Sequence, residues 1–235
     1  LVARLMRWAY ARTDLIVALD EDMAERLRPN GRPVEIIAPW PPAGLDRAAV
    51  ATGRDYRETL WIYSGNMGRA HEWETLIEAQ DLLEHGGIFA RLVIQGSGAG
   101  YAAAKADAQR RGLKRCEFRG YADDLLPSLL SASAMVITQR PETLGLLWPS
   151  KLAVARELPR PIAFVGPTDG AIARSLRERP QAACFAPGQA EALADWVCAL
   201  PAPELGAPLP DFAALRERAI GRWMELLRRH ENAPA

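Results

Sequence analysis

Apolar runs of roughly four to six residues alternate with longer helical patterns along almost the whole chain, and few folds are open to a chain built that way. Runs this short, bounded by turn signals, read as buried strands. With a helical segment between most successive strands, the pattern is that of a parallel sheet covered by helices. The pattern predicts strands over 15–19, 34–38, 59–64, 91–95, 115–119, 134–138, 161–165 and 182–186. Helices are expected over 1–12, 21–28, 71–84, 100–111, 124–131, 149–157, 169–177, 189–200 and 211–229. The fold class is therefore α/β, a Rossmann-like parallel sheet with helices on both faces.

Two breaks in this rhythm organise the chain. Pro39, Pro41, Pro42 and Gly44 interrupt regular structure and open a linker expected over 43–56. Residues 1–42 hold one βα unit and a second strand, too little to close a core alone. Residues 57–200 hold six strand candidates, enough for a complete doubly wound domain. Residues 201–235 begin Pro-rich and end in a helix whose Trp223, Leu226 and Leu227 form one apolar face. The chain has 235 residues, room for one large domain plus a fragment of another. Because it starts at Leu1 inside a helical pattern, we read the first domain as incomplete.

Composition removes several function classes. Lys plus Arg equals Asp plus Glu at 29 each, so the overall field makes no case for a nucleic-acid partner. The cysteines Cys116, Cys184 and Cys198 form no CxxC pair and there are only three histidines, so no metal site is expected. No run approaches the ~20 apolar residues of a membrane span, and no signal-peptide pattern is present. The expected location is the cytoplasm.

Three segments carry chemistry. At the end of the strand at 59–64, Ser64-Gly65-Asn66-Met67-Gly68-Arg69 leads to a helix start near His71. Unpaired N–H groups and the positive end of a helix dipole suit a phosphate there, with Arg69 and His71 as further donors, although glycines at such junctions are more often only turn residues. After the strand at 91–95, Gly96-Ser97-Gly98 makes a second strand–glycine–helix junction, read as a tight turn near the ligand cleft. After the strand at 134–138, the segment from Gln139 to Lys151 joins a carboxylate, a glycine turn, Pro149 at a first helical position and the Ser150-Lys151 pair. Such a loop offers an acceptor for sugar hydroxyls, N–H groups for a diphosphate and a cation for its charge.

Taken together, Tyr63-Ser64-Gly65-Asn66-Met67-Gly68-Arg69, Thr75 to Ala79, Val93 to Gly98, Phe118-Arg119-Gly120-Tyr121, Leu126 to Leu130 and Pro149-Ser150-Lys151-Leu152 resemble the C-terminal domain of group-1 (family four) glycosyltransferases. These are GT-B enzymes, and the resemblance covers about residues 57–200, with 1–42 similar to the end of their N-terminal, acceptor domain. The branch it most resembles is the one containing Pro-Ser-Lys, found in capsule, O-antigen and colanic-acid synthesis.

The resemblance implies a donor diphosphate against the glycine turn, helped by a basic pair whose positions here are Asn66 and His71. It assigns the first of the family's two glutamates to Glu142, the phosphate-facing backbone to Gly145 and Leu146, and the second glutamate to Ser150. The base is expected against Arg119, Gly120 and Tyr121, with Gly96 and Gly98 near the cleft. It further implies retention at the anomeric carbon and no metal or cofactor, with Lys151 and Glu142 as the catalytic candidates. The donor would be a nucleotide sugar, UDP first and GDP next, and the acceptor a glycan or lipid-linked molecule, with peripheral membrane contact in the whole enzyme. With most of the acceptor domain absent, this chain is expected to bind donor without efficient transfer. Two other readings remain open at this stage: a UDP-sugar 2-epimerase, which needs an acid and a base near the sugar, and a non-catalytic module derived from a GT-B half.

Overall fold

The computed structural model describes residues 2–45, 58–202 and 208–231. Most of the expected linker at 43–56 and the middle of the Pro-rich segment lie outside the described residues. The elements run in the expected alternation: α1 Val2–Tyr10, β1 Ile16–Ala18, α2 Glu21–Leu27, β2 Val34–Ile36, β3 Thr59–Asn66, α3 Glu74–His85, β4 Ala90–Ser97, α4 Ala99–Arg111 and β5 Cys116–Arg119. Then follow α5 Leu125–Leu130, β6 Ala134–Thr138, α6 Lys151–Ala155, β7 Ile162–Val165, α7 Ala171–Arg177, β8 Ala182–Phe185, α8 Ala190–Cys198 and α9 Phe212–Glu231. No helix among the described residues is long and apolar enough to cross a membrane.

Strands β3 to β8 form one six-stranded parallel sheet in the order β5-β4-β3-β6-β7-β8. Strands β1 and β2 pair parallel in a separate two-stranded sheet. In the large sheet the chain steps outward from β3 through β4 to β5, then returns to the other side of β3 with β6. The order reverses there, and the helices that follow β3 and β6 depart on opposite faces. That leaves a crevice beyond the strand C-termini, where ligands of doubly wound sheets bind.

The period-2 alternation of β3 shows how the sheet is covered. Leu60 and Ile62 enter the core shared with α5, α6 and α7, while Trp61 and Tyr63 enter the core shared with α3, α4 and α8. Phe212 of α9 joins the first of these cores, with Leu209 and Leu215 packed against it. The polar atom of Trp61, buried on β3, is paired: the indole N–H donates to Gln80 Oε1, and the Gln80 amide donates to the Ala90 carbonyl.

Some boundaries shift, for local reasons. Helix α3 starts at Glu74 rather than near His71, with Trp73 in the N-cap position, and the Glu72 carboxylate just ahead of it accepts from the Thr75 N–H and hydroxyl in the first turn. Strands β3 and β4 run past Ser64 and Gln95 through Gly65 and Gly96 to Asn66 and Ser97, paired residue for residue. The glycines keep the two strands together there. At Gly96, with φ +134°, an added Cβ would lie 2.1 Å from the Gly65 carbonyl oxygen. At Gly98 it would lie 2.5 Å from that of Met67.

Helix α2 docks onto the large domain through Asp22. Its carboxylate accepts from the Ala171 N–H at 2.6 Å, at the start of α7, and from Arg174 at 3.0 Å. Both partners come from the same helical turn, so this one side chain joins residues some 150 positions apart. Asp22→Ala is expected to cost about 1–2 kcal/mol, seen as a drop of a few degrees in Tm and faster amide exchange at residue 171. An unchanged Tm and exchange rate would show that the contact contributes nothing to docking.

Candidate active site at the strand crossover

The crevice at the sheet's reversal is a cleft of about 590 Å3. Its floor is the C-terminal end of β3, with Ser64, Gly65 and Asn66. One side is the turn after β6 with Leu147, Trp148, Pro149 and Ser150, and the other holds Gln95 and Tyr121. Trp40 and Pro42 close it from the N-terminal segment. Ile62, Leu125, Leu129, Met135 and Val154 give it apolar walls, the lining expected of a site that takes a ring system and orients it with a few polar groups.

Lys151 is the cation of the cleft. It is the first residue of α6, and its side chain crosses to β3, where Nζ donates to the Tyr63 hydroxyl and, at 3.4 Å, to the Asn66 carbonyl. The same ammonium sits 3.9 Å from the centre of the Tyr63 ring. Gly65 makes room for it, since an added Cβ would lie 3.1 Å from Lys151 Cε. These partners are neutral, and burial lowers the Lys151 pKa to about 7. An ammonium held among neutral oxygens in a cleft is poised for an anion. Burial also pushes the Tyr63 phenol up, so Tyr63 stays protonated and donates to the Asn66 carbonyl at 2.9 Å.

His71 lies beside them but is not a second cation. It is buried, its Nδ1 is 2.8 Å from the Thr138 carbonyl oxygen, and its ring meets Tyr63 edge to face. Burial, and then the neighbouring Lys151 charge, lower its pKa to about 4. At neutral pH it is an uncharged imidazole.

Of the residues singled out in the sequence, Gly65, Asn66, His71, Tyr121, Ser150 and Lys151 line the cleft together. Gly96 and Gly98 stand behind its floor, packed on Gly65 and Met67, and the Asn66 amide lies against Gly98. The others are elsewhere. Arg69 is exposed outside the cleft, Arg119 is exposed and paired with Glu117, and Gly120 is exposed at the end of β5. Glu142 is exposed on a short 3-10 turn, Pro141–Thr143, and does not line the cleft. Gly145 packs against α2: an added Cβ would lie 2.7 Å from the Asp22 carbonyl oxygen, while Leu146 points to solvent.

Two polar residues of the cleft had no role assigned from the sequence. Ser64 and Gln95 stand opposite each other in the β3–β4 register, the Gln95 amide donates to Ser64 Oγ at 3.0 Å, and Gln95 Oε1 accepts from Ser128 at 2.7 Å. The available signal was a polar residue at the C-terminal end of each of two apolar runs. Gln139, buried just after β6, donates to the Thr143 and Leu147 carbonyls and holds the turn that carries Trp148 to Lys151. The Arg140 N–H donates to the Ala70 carbonyl at 2.8 Å, tying this turn to the one after β3.

No family model and no curated protein matches the chain. Solved structures do. The chain is similar to sucrose-phosphate synthase from Thermosynechococcus elongatus, with 20% identity and a TM-score of 0.74 over 99% of this chain and 63% of that one. It is similar to Anabaena HepE in complex with UDP and glucose, with 14% identity and a TM-score of 0.65 over 98% of this chain and 66% of that one. A mutant of S. aureus TarM in complex with Fondaparinux, alpha-GlcNAc-glycerol and UDP matches at 14% identity and a TM-score of 0.59, over 84% of this chain and 39% of that one. The chain thus spans less than two thirds of the length of each of these structures. What they share with it is the fold, a Rossmann-like sheet of the GT-B type with helices on both faces.

Proposed function

We propose that this chain is the nucleotide-sugar-binding part of a GT-B glycosyltransferase, in which Lys151 meets the diphosphate of the donor. The observation that carries the reading is the Lys151 ammonium itself, buried among neutral oxygens at the crossover of a doubly wound sheet, where a phosphorylated ligand binds in folds of this kind. Support comes from HepE and TarM, solved structures of the same fold that hold UDP. UDP is the proposed nucleotide, and a glycan or lipid-linked acceptor of cell-surface polysaccharide synthesis is the proposed partner.

In the reaction the bond between the anomeric carbon and the diphosphate oxygen breaks, and its electron pair stays on that oxygen. The acceptor hydroxyl forms the new bond on the face from which the diphosphate departs and passes its proton to the departing diphosphate oxygen, with retention of configuration. Lys151 stabilises the charge that grows on the leaving diphosphate, and it does so without a metal ion in the proposed mechanism. The Tyr63 hydroxyl and the Asn66 carbonyl hold the ammonium in place. The apolar walls exclude water from the ring that is bound. An epimerase reading has less support, because Glu142, the carboxylate it would need near the sugar, stands outside the cleft.

A calorimetric titration with UDP and with GDP, each in EDTA, tests the assignment. UDP is expected to bind with a dissociation constant on the order of 0.1 mM and GDP more weakly, neither affected by the chelator. Absence of binding by both nucleotides at millimolar concentration would overturn it.

A further inference from the structure

The chemistry of His71 determines more than its place in the cleft. A backbone carbonyl can only accept, so the 2.8 Å contact between Nδ1 and the Thr138 oxygen puts a proton on Nδ1. The edge-to-face contact with Tyr63, 5.8 Å between centroids, fixes the ring plane. The charged or titratable groups around it are the Lys151 ammonium from α6 and the Tyr63 phenol from β3. The neighbouring Glu72 carboxylate accepts from the Thr75 N–H and hydroxyl through Oε1. Burial, and then the ammonium, oppose a second proton on the ring, so Nε2 carries a lone pair. His71 lines the cleft, and Nε2 is its remaining polar atom.

A lone pair repels phosphate oxygens, which carry no protons at neutral pH. It attracts a hydroxyl or an amide N–H. The cleft therefore offers two unlike neighbours side by side, an ammonium for the diphosphate and an acceptor for whatever hydroxyl-bearing group is attached to it. Resting on the assignment of the cleft to a nucleotide sugar, we propose that His71 is a specificity-determining residue whose Nε2 accepts a hydrogen bond from a hydroxyl or N–H of the transferred sugar. It orients the donor with the diphosphate toward Lys151 and the sugar toward His71. Sugars that place a hydroxyl there are selected over those that do not.

The test has a ligand-free arm and a binding arm. Nitrogen-15 NMR of the imidazoles, assigned with His85→Gln and His230→Gln variants, reads the tautomer. A protonated Nδ1 and a bare Nε2 from pH 8 down to about 5.5 are expected. The reverse tautomer, or a titration near 6.5, overturns the proposal. In the binding arm, UDP is compared with UDP-glucose, UDP-galactose and UDP-N-acetylglucosamine on wild type, His71→Phe and His71→Asn. At least one sugar nucleotide should bind wild type about fivefold more tightly than UDP. The Phe variant should lose that increment while keeping UDP affinity within about threefold, and the Asn variant, which retains an acceptor, should recover part of it. An increment that survives in His71→Phe overturns the proposal, as does an equal loss for UDP, which would place the hydroxyl on the ribose. Failure of wild type to bind any of these nucleotides removes the nucleotide-sugar assignment itself, and the proposal with it.

Discussion

Lys151→Met is expected to weaken UDP binding by about thirtyfold to a thousandfold, corresponding to about 2–4 kcal/mol for one partner of a desolvated charge pair. Methionine fills nearly the same volume, so the walls of the cleft survive and the loss reports on charge. The free variant should be no less stable than wild type, because the ammonium is held away from water among neutral groups. Its proton makes the expectation sharper. Burial lowers the Lys151 pKa from its ordinary 10.5 to about 7, so between those values the unfolded chain holds a proton that the folded chain has released. The free protein therefore gains stability from this group as pH rises from 7 toward 10.5 and loses that gain as pH falls back. Anion binding runs the other way. It needs the ammonium, so above pH 7 affinity should fall by up to about tenfold per pH unit, and at pH 8 close to one proton should be taken up per UDP bound. Titrations in buffers of different ionisation enthalpy measure that uptake. A wild type that takes up no proton at pH 8, or a Met variant that binds UDP as wild type does, would remove Lys151 from the site.

Gly96→Ala is expected to be the most damaging glycine-to-alanine change among the described residues, at no less than about 4 kcal/mol. The new Cβ would sit 2.1 Å from the Gly65 carbonyl oxygen and 2.8 Å from its carbon, both main-chain atoms in the neighbouring strand, and φ is +134°. No side-chain rotation relieves such a clash. Strands β3 and β4 would have to part at the floor of the cleft, so nucleotide binding should go with stability. Gly221→Ala is the matched control: it lies in α9 with nothing within 4 Å, and alanine there is expected to be neutral or stabilising by up to about 1 kcal/mol. Urea unfolding of the two variants measures the difference. Equal midpoints would mean that the strand ends are far more pliant than their geometry indicates.

The order and type of the elements were legible because each strand is an apolar run and each helix a longer periodic one, and this pattern survives in a single sequence. Element ends were less so. The strand predicted to stop at Ser64 continues to Asn66 because Gly65 and Gly96 let β3 and β4 stay paired, and the helix expected from 149 begins at Lys151. In the site, Lys151 could be picked out from its place after a strand–turn–helix junction. The Ser64–Gln95–Ser128 chain could not, because it depends on strand register and on a helix more than 30 residues away. His71 looked like a donor of charge from its place in sequence. Only burial and the Thr138 carbonyl reveal it as a neutral ring. The turn after β6 shows the same limit. Gly145 reads as backbone free to face a phosphate, but α2, more than 110 residues earlier, comes to rest on it.

The close approach of β3 and β4 also has a genetic side. Every single-base missense change in a glycine codon introduces a residue with a β-carbon, so Gly96 has no permissive neighbour in codon space. The same holds for Gly98, where the new atom would fall 2.5 Å from the Met67 carbonyl oxygen. At Gly120 nothing lies within 4 Å, and substitutions can drift. Sequence change in descendants of this chain should therefore enter through the exposed end of β5, while the junction behind the cleft floor stays glycine for as long as the fold is kept.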